Sequence, residues 1–161
     1  FRRVLFRSMS DRSQALQRTL RTQIPLTEAM QVRVVSADPM RIVLAAPLAP
    51  NVNHLGTFFG GSAAALATLA GWVLTEEGLA GEGLHAQVVV QRTAIDYLEP
   101  ATGELHAEGI APTDEAWCRF LQVLRRRRKG RVEVDVELTS DGMRVGAFHG
   151  AFVATLDKPV Y

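Results

Sequence analysis

A single cysteine, Cys118, rules out an internal disulfide framework and fits a reducing compartment. Neither sign of charge dominates, because 18 Lys and Arg face 17 Asp and Glu for a net charge of +1. Such a balance implies neither nucleic acid nor an anionic membrane as partner. The histidines, His54, His85, His106 and His149, stand singly without metal-ligand spacing, and no metal is expected. The chain has no Walker sequence and no dinucleotide-binding glycine pattern, and no cofactor is expected. No internal repeat divides it, and 161 residues make one domain with a core of its own. The opening FRRVLFRS is basic but lacks a sustained apolar core and a small-residue cleavage site, so it is not read as a signal peptide. Phe1 to Ser8 reads as an extraneous leader, and the domain as residues 9–161.

What the chain does have is one uncharged stretch, Leu55 to Thr75, LGTFFGGSAAALATLAGWVLT. It is long enough to cross a bilayer. Its four glycines, three threonines and one serine keep its hydropathy modest, and no membrane insertion is expected. A helix without a polar face must be covered on all sides. The stretch therefore predicts a helix buried inside a curved sheet. It should begin between Phe59 and Ser62 and return to solvent at Glu76 and Glu77, with Gly78 just past its end. Its alanines let strands wrap closely, and Gly60-Gly61 lets a ligand or another backbone come near.

Around this helix the chain reads as strands. Asp11 to Gln23 carries Leu16 and Leu20 four apart and predicts a weakly amphipathic helix capped by Ser10 or Asp11. Pro25 opens a short helical turn through Met30. Val32–Ala37 and Met40–Ala46 form an expected antiparallel pair around the turn Asp38-Pro39. Leu84 to Leu98 reads as a long strand with Val88-Val89-Val90 as its buried centre, and Glu104 to Ile110 as the next. Thr113 or Asp114 caps a helix whose apolar face is Trp117, Phe120, Leu121 and Leu124, ended by Gly130. Arg131 to Leu138 alternates strictly, Asp141-Gly142 is a hairpin turn, and Met143 to Leu156 is the last strand. The sum is an α+β domain, a curved antiparallel sheet of about six strands wrapped around a central hydrophobic helix.

Asn53-His54-Leu55-Gly56-Thr57-Phe58-Phe59-Gly60-Gly61, followed by the alanine/leucine helix, resembles the active-site segment of hotdog-fold acyl-CoA thioesterases. Ile95-Asp96-Tyr97-Leu98-Glu99-Pro100-Ala101 is similar to the end of their long strand. Within that superfamily, FGGSAAALATLAGW looks most like the thioesterase-type domain that follows an acetyltransferase in some bacterial proteins. The resemblance runs from Pro25 to Leu156. It implies the hotdog fold, hydrolysis of acyl-CoA or other acyl thioesters, and a homodimer or dimer of dimers with its sites at subunit interfaces. It also implies that the acyl carbonyl lies at the helix N-terminus, its oxyanion held by the amide of Gly60 or Gly61. Free amides and the positive dipole end suit that role. The carboxylate of related enzymes falls on Thr68, seven residues past Gly61 and about 10 Å along the axis. The histidine that many relatives place before the glycines is Phe59 here. Threonine is no carboxylate base, but it can hold a water. Asn53 matches an amide that orients the water or the carbonyl, and the adjacent His54 is a candidate proton acceptor. His54, Phe58 and Phe59 are expected against the substrate, and Gln91 and Arg92 are expected to reach it from the partner subunit.

Each assignment has a plainer counterpart. Gly60-Gly61 can serve helix packing, Thr68 can bond its own helix carbonyl, and Asn53 can be a turn residue. Arg125 to Lys129 either meets the phosphates of coenzyme A or ends a helix in solvent, where cations suit the dipole, and the second is favoured. Cys118 has no visible His partner and is not read as a nucleophile. The missing helix acid keeps open the alternative of a non-catalytic acyl-thioester or lipid-binding module. The expected location is the cytoplasm.

Overall fold

A computed structural model describes residues 2–156, with side chains from residue 11 onward. Its elements are α1 (Arg2–Gln23), α2 (Leu26–Ala29), β1 (Arg33–Asp38), β2 (Arg41–Ala46), α3 (Gly60–Gly81), β3 (Ala86–Tyr97), β4 (Leu105–Ile110), α4 (Asp114–Arg127), β5 (Lys129–Ser140) and β6 (Met143–Leu156). All strand pairs are antiparallel, in the order β1-β2-β4-β5-β6-β3. Helix α3 packs against β2 to β6 and buries Leu66, Ala67, Ala70, Val73 and Leu74. This is the α+β arrangement expected, a six-stranded sheet on a central helix, the hotdog fold. No helix among the described residues is long and apolar enough to cross a membrane.

Close approach explains the small residues of α3. A methyl group on Gly71 would lie 2.7 Å from the ring of Phe152, which is fully buried. Gly78 serves the same purpose for Trp117, whose ring would meet an added methyl at 2.8 Å. Here the structure differs from expectation. Gly78 does not follow the helix but lies within it, and α3 runs on to Gly81 with Glu82 as its cap. The left-handed residue is Gly83, at φ +68°. Gly130 likewise does not end α4. Arg128 turns left-handed at φ 60°, and Gly130 belongs to β5, where its bare face lies beneath Phe120 and Leu124. Helix α1 also extends past the expected cap at Ser10 or Asp11, back to Arg2. Of the expected leader, Phe1 and the side chains of residues 2–8 lie outside the described residues.

The two edges of the sheet are treated differently. On β1, the Gln17 side chain of α1 accepts from the Val34 amide at 2.7 Å and donates to the Val32 carbonyl at 2.8 Å. It occupies backbone groups that an edge strand leaves bare. Among the described residues no helix side chain occupies the β3 edge in this way. Val88 is buried, but Val89 is 60% and Val90 44% exposed, so the valine run is not the buried centre expected of it. An edge strand keeps one flank open, and alternation turns Val89 to the outer face of the sheet, in register with Val153.

Two predictions follow from the packing and the charges. Gly71→Ala gains about 1 kcal/mol of helix propensity but forces a methyl against Phe152, an overpacking of about 1–3 kcal/mol. Net destabilisation in urea unfolding is expected, and an unchanged midpoint would contradict the packing. The second concerns acid. Arg41 donates to Glu108 (Nη2 to Oε2, 2.9 Å), and this bond holds the carboxyl below its ordinary range; a bond from Arg33 does the same for Glu104. A carboxyl lowered in the folded state stabilises at neutral pH, and that contribution is lost as pH falls through the folded value. Melting temperature should therefore fall less steeply on acidification in the Glu104→Gln, Glu108→Gln double variant than in wild type; parallel curves would discount these pairs.

Candidate active site

The approach to α3 is built on a buried asparagine that the sequence reading passed over. Asn51, 2% exposed, donates its side-chain amide to the carbonyls of Met30 and Pro47 at 2.9 and 2.8 Å. Its backbone carbonyl accepts from the Phe59 amide at 2.7 Å. The Phe58 amide donates to the Ala101 carbonyl at 2.8 Å, which ties the loop to the segment after β3. Between these anchors Asn53 folds the loop on itself. Its side-chain oxygen accepts from the amides of Leu55 and Thr57, and its nitrogen donates to the Thr57 hydroxyl. One side-chain N–H of Asn53 is left over.

Phe59 ends the extended chain at φ −66°, ψ 128°, and α3 begins at Gly60 with no side-chain cap. The first backbone bond of the helix runs from Ala63 to the Phe59 carbonyl. The amides of Gly60, Gly61 and Ser62 thus find no acceptor among the described residues. Both glycines are approached closely, by side chains of the chain itself. The Tyr97 ring lies 3.2 Å from where a Gly60 methyl would stand, and the Phe59 ring occupies the corresponding place at Gly61. The Tyr97 hydroxyl donates to the Gly60 carbonyl at 2.7 Å, and burial raises its pKa, which keeps it a donor.

Beside Gly60 opens a cavity of about 350 Å³. Phe58, Ala63, Leu105 and Leu138 make its walls apolar, while Thr57, Tyr97 and Glu99 add polar groups. Of the residues expected from sequence, only Gly60 and Phe58 line it. Thr68 is half-buried on another side of α3, in a stripe with Gly61, Ala65 and Trp72 that is only partly covered. Its hydroxyl donates to the Ala64 carbonyl at 2.8 Å, and Trp72 donates to the Val88 carbonyl at 2.9 Å. His54 is exposed on the loop, and Phe59 is 53% exposed over Gly61.

Gln91 and Arg92 lie apart from these groups, for a local reason. The register of β3 against β6 shifts between Val90 and Arg92, and Gln91 is the extra residue of a bulge. Alternation before the bulge would turn Arg92 toward the helix. After it, Arg92 lies in register with Ala151 and thus with Glu133, on the exposed outer face. There it lines a groove with Arg131, Glu133 and His149, whose ring nitrogen lies 2.7 Å from Asp135. The Arg125–Lys129 run is at the opposite end of α3 from Gly60. Arg125 pairs with Glu82 at 3.0 Å, and Arg128 donates to the Leu156 carbonyl. Among the described residues no three His, Cys, Asp or Glu side chains gather to hold a metal.

Tyr97 and Glu99 were quoted in the strand motif without a role. No signal in the sequence places them there, because the bond from Phe58 to Ala101 that brings them to the cavity is a long-range contact. The model of a family described as "Putative thioesterase (yiiD_Cterm)" matches residues 13–156. The solved structure of the putative thioesterase from Shewanella oneidensis is similar at 29% identity and TM-score 0.82, over 91% of this chain and 99% of that one. A protein of unknown function from Chlorobaculum tepidum is similar at 25% identity and TM-score 0.82, over 90% and 94%. A thioesterase from Haemophilus influenzae shares the fold, at 12% identity and TM-score 0.64, over 81% and 82%.

Proposed function

The chain belongs to this thioesterase family, and from that premise we propose that it hydrolyses an acyl thioester, an acyl-CoA, at the N-terminus of α3. The observation that carries the proposal is that the amides of Gly60, Gly61 and Ser62, at the start of α3, have no acceptor among the described residues, and that Gly60 lines a cavity with mostly apolar walls. A thioester carbonyl develops negative charge as water attacks it, and fixed amides at the positive end of a helix stabilise that charge without reorganising. Gly60 and Gly61 are the proposed oxyanion donors. The cavity, about 350 Å³ in volume, is at the small end of ligand pockets, which run from about 300 to 1,000 Å³. It suits a short or aromatic acyl group against Phe58. Thr68 keeps a lone pair for a water, and Asn53 keeps one N–H, so both remain proposed as positioning groups. Phe59, on the surface above Gly61, is the proposed cover of the thioester.

A second copy completes the site in this reading. The bare β3 edge, with Val89, Tyr97 and Leu98 60%, 56% and 49% exposed, and the partly covered Gly61–Thr68–Trp72 stripe support a homodimer, which can pair further into a dimer of dimers. Arg92 and Gln91 of one subunit then contribute to substrate binding only across such an interface. The proposed setting is the cytoplasm, where the free, exposed Cys118 stays reduced.

One observation favours a second reading. Thr68 spends its proton on Ala64, and Asn53 spends its oxygen on the loop, which suits a module that binds acyl thioesters without hydrolysing them. Thiol release from acyl-CoAs of graded length separates the two. Turnover is expected, fastest with short or aryl groups and at least tenfold slower in the Asn53→Ala, Thr68→Ala double variant. Equal rates would remove both residues from the site, and saturable binding without turnover would select the binding module. Sedimentation should give a dimer at micromolar concentration, and Val89→Lys should shift it toward monomer; a monomeric wild type would leave Gln91 and Arg92 without a role.

A further inference from the structure

We propose that Glu99 is the general base of this hydrolysis, in place of the helix carboxylate that the chain lacks. The inference rests on the thioesterase reading and adds to it the identity of the group that activates water.

Glu99 is the only acidic residue among the described residues that line the cavity beside Gly60. The other titratable group there is Tyr97, whose proton is committed to the Gly60 carbonyl. The rest of the lining, contributed by α3, β4, β5, β6 and the loops, is uncharged. The carboxylate of Glu99 has no hydrogen-bond or ion-pair partner among the described residues. In contrast, Glu77, Glu82, Glu104 and Glu108 are all held by arginines. A carboxylate consumed by an arginine is a poor proton acceptor, and Glu99 is not consumed.

The backbone holds Glu99 in place. The amides of Leu98 and Glu99 both donate to the Val145 carbonyl, at 2.9 and 3.2 Å. Pro100 fixes its own φ and restricts Glu99 before it, and the Ala101 carbonyl accepts from Phe58 two residues before Gly60. The chain around Glu99 is thus tied to β6 on one side and to the approach to α3 on the other. Thr68 offers no alternative base, because a hydroxyl does not take a proton from water as a carboxylate does, and its own proton is donated to the Ala64 carbonyl.

The step balances as follows. A water proton passes to the Glu99 carboxylate as the water oxygen bonds to the thioester carbon. The carbonyl electron pair moves onto oxygen, facing the amides of Gly60 and Gly61. Collapse of this tetrahedral species breaks the C–S bond, and the departing thiolate takes the proton from Glu99. A carboxylic acid and a free thiol leave, and Glu99 is ionised again.

The test compares Glu99→Gln and Glu99→Asp with wild type, using the acyl-CoA that wild type turns over fastest. A positioned base contributes about 10²–10⁴-fold. Glu99→Gln should lose at least a hundredfold in kcat with KM within threefold, and should lose the fall in kcat that wild type shows on acidification. Glu99→Asp should recover at least tenfold over Glu99→Gln. Unchanged melting temperatures show that the loss is not unfolding. Wild-type kcat in Glu99→Gln, or a reduced kcat with the acid limb intact, overturns the assignment while leaving the thioesterase standing. Absence of turnover in wild type overturns both.

Discussion

Helix α3 is apolar around its whole circumference, so water is kept from it only where strands come close enough to replace every contact. That requirement sets the composition of both partners. Gly71 leaves a notch for Phe152, Gly78 leaves one for Trp117, and Gly130 gives α4 room over the sheet. Close packing of this kind is intolerant of single methyl groups, which is why these three glycines fall where large side chains meet backbone.

The same enclosure shapes the site. Burial fixes the helix axis, and the Asn51 anchor fixes where the chain enters it, so the first amides emerge at one place with no acceptor among the described residues. Two different surfaces then meet them. On one side is the cavity with Tyr97 and Glu99; on the other is the partly covered stripe with Gly61 and Thr68. Residues spaced seven apart share a helix face, and so Gly61 and Thr68 do stay together. Gly60, one residue earlier, is rotated by about 100° and faces the cavity. The two Cα atoms thus border different surfaces, while both amides point along the axis toward the entrance of the helix.

The edges of the sheet carry a related asymmetry. Gln17 supplies β1 with the donor and acceptor that a neighbouring strand would have given. Strand β3 has no such substitute among the described residues and keeps apolar side chains in the open. Its bulge at Gln91 changes the phase of alternation, so charged residues beyond it turn outward, beside Glu133 and His149.

Local pattern alone determined a central helix that starts near Gly60, though not its end, the strict alternation of β5 and the turn at Asp141-Gly142, both of whose residues take positive φ. These are properties of period and of single residues, and they are legible without neighbours. The expected site was legible in part. Gly60 and Phe58 came from the motif and do line the cavity, whereas Tyr97 and Glu99 enter it only because Ala101 is bonded to Phe58 across 43 residues of chain. The exposure of Val89 and Val90 was decided by strand order, and the direction of Arg92 by a bulge one residue wide. Strand order and register depend on which backbone groups find each other at long range, and a linear pattern of apolar and polar residues carries no record of that choice.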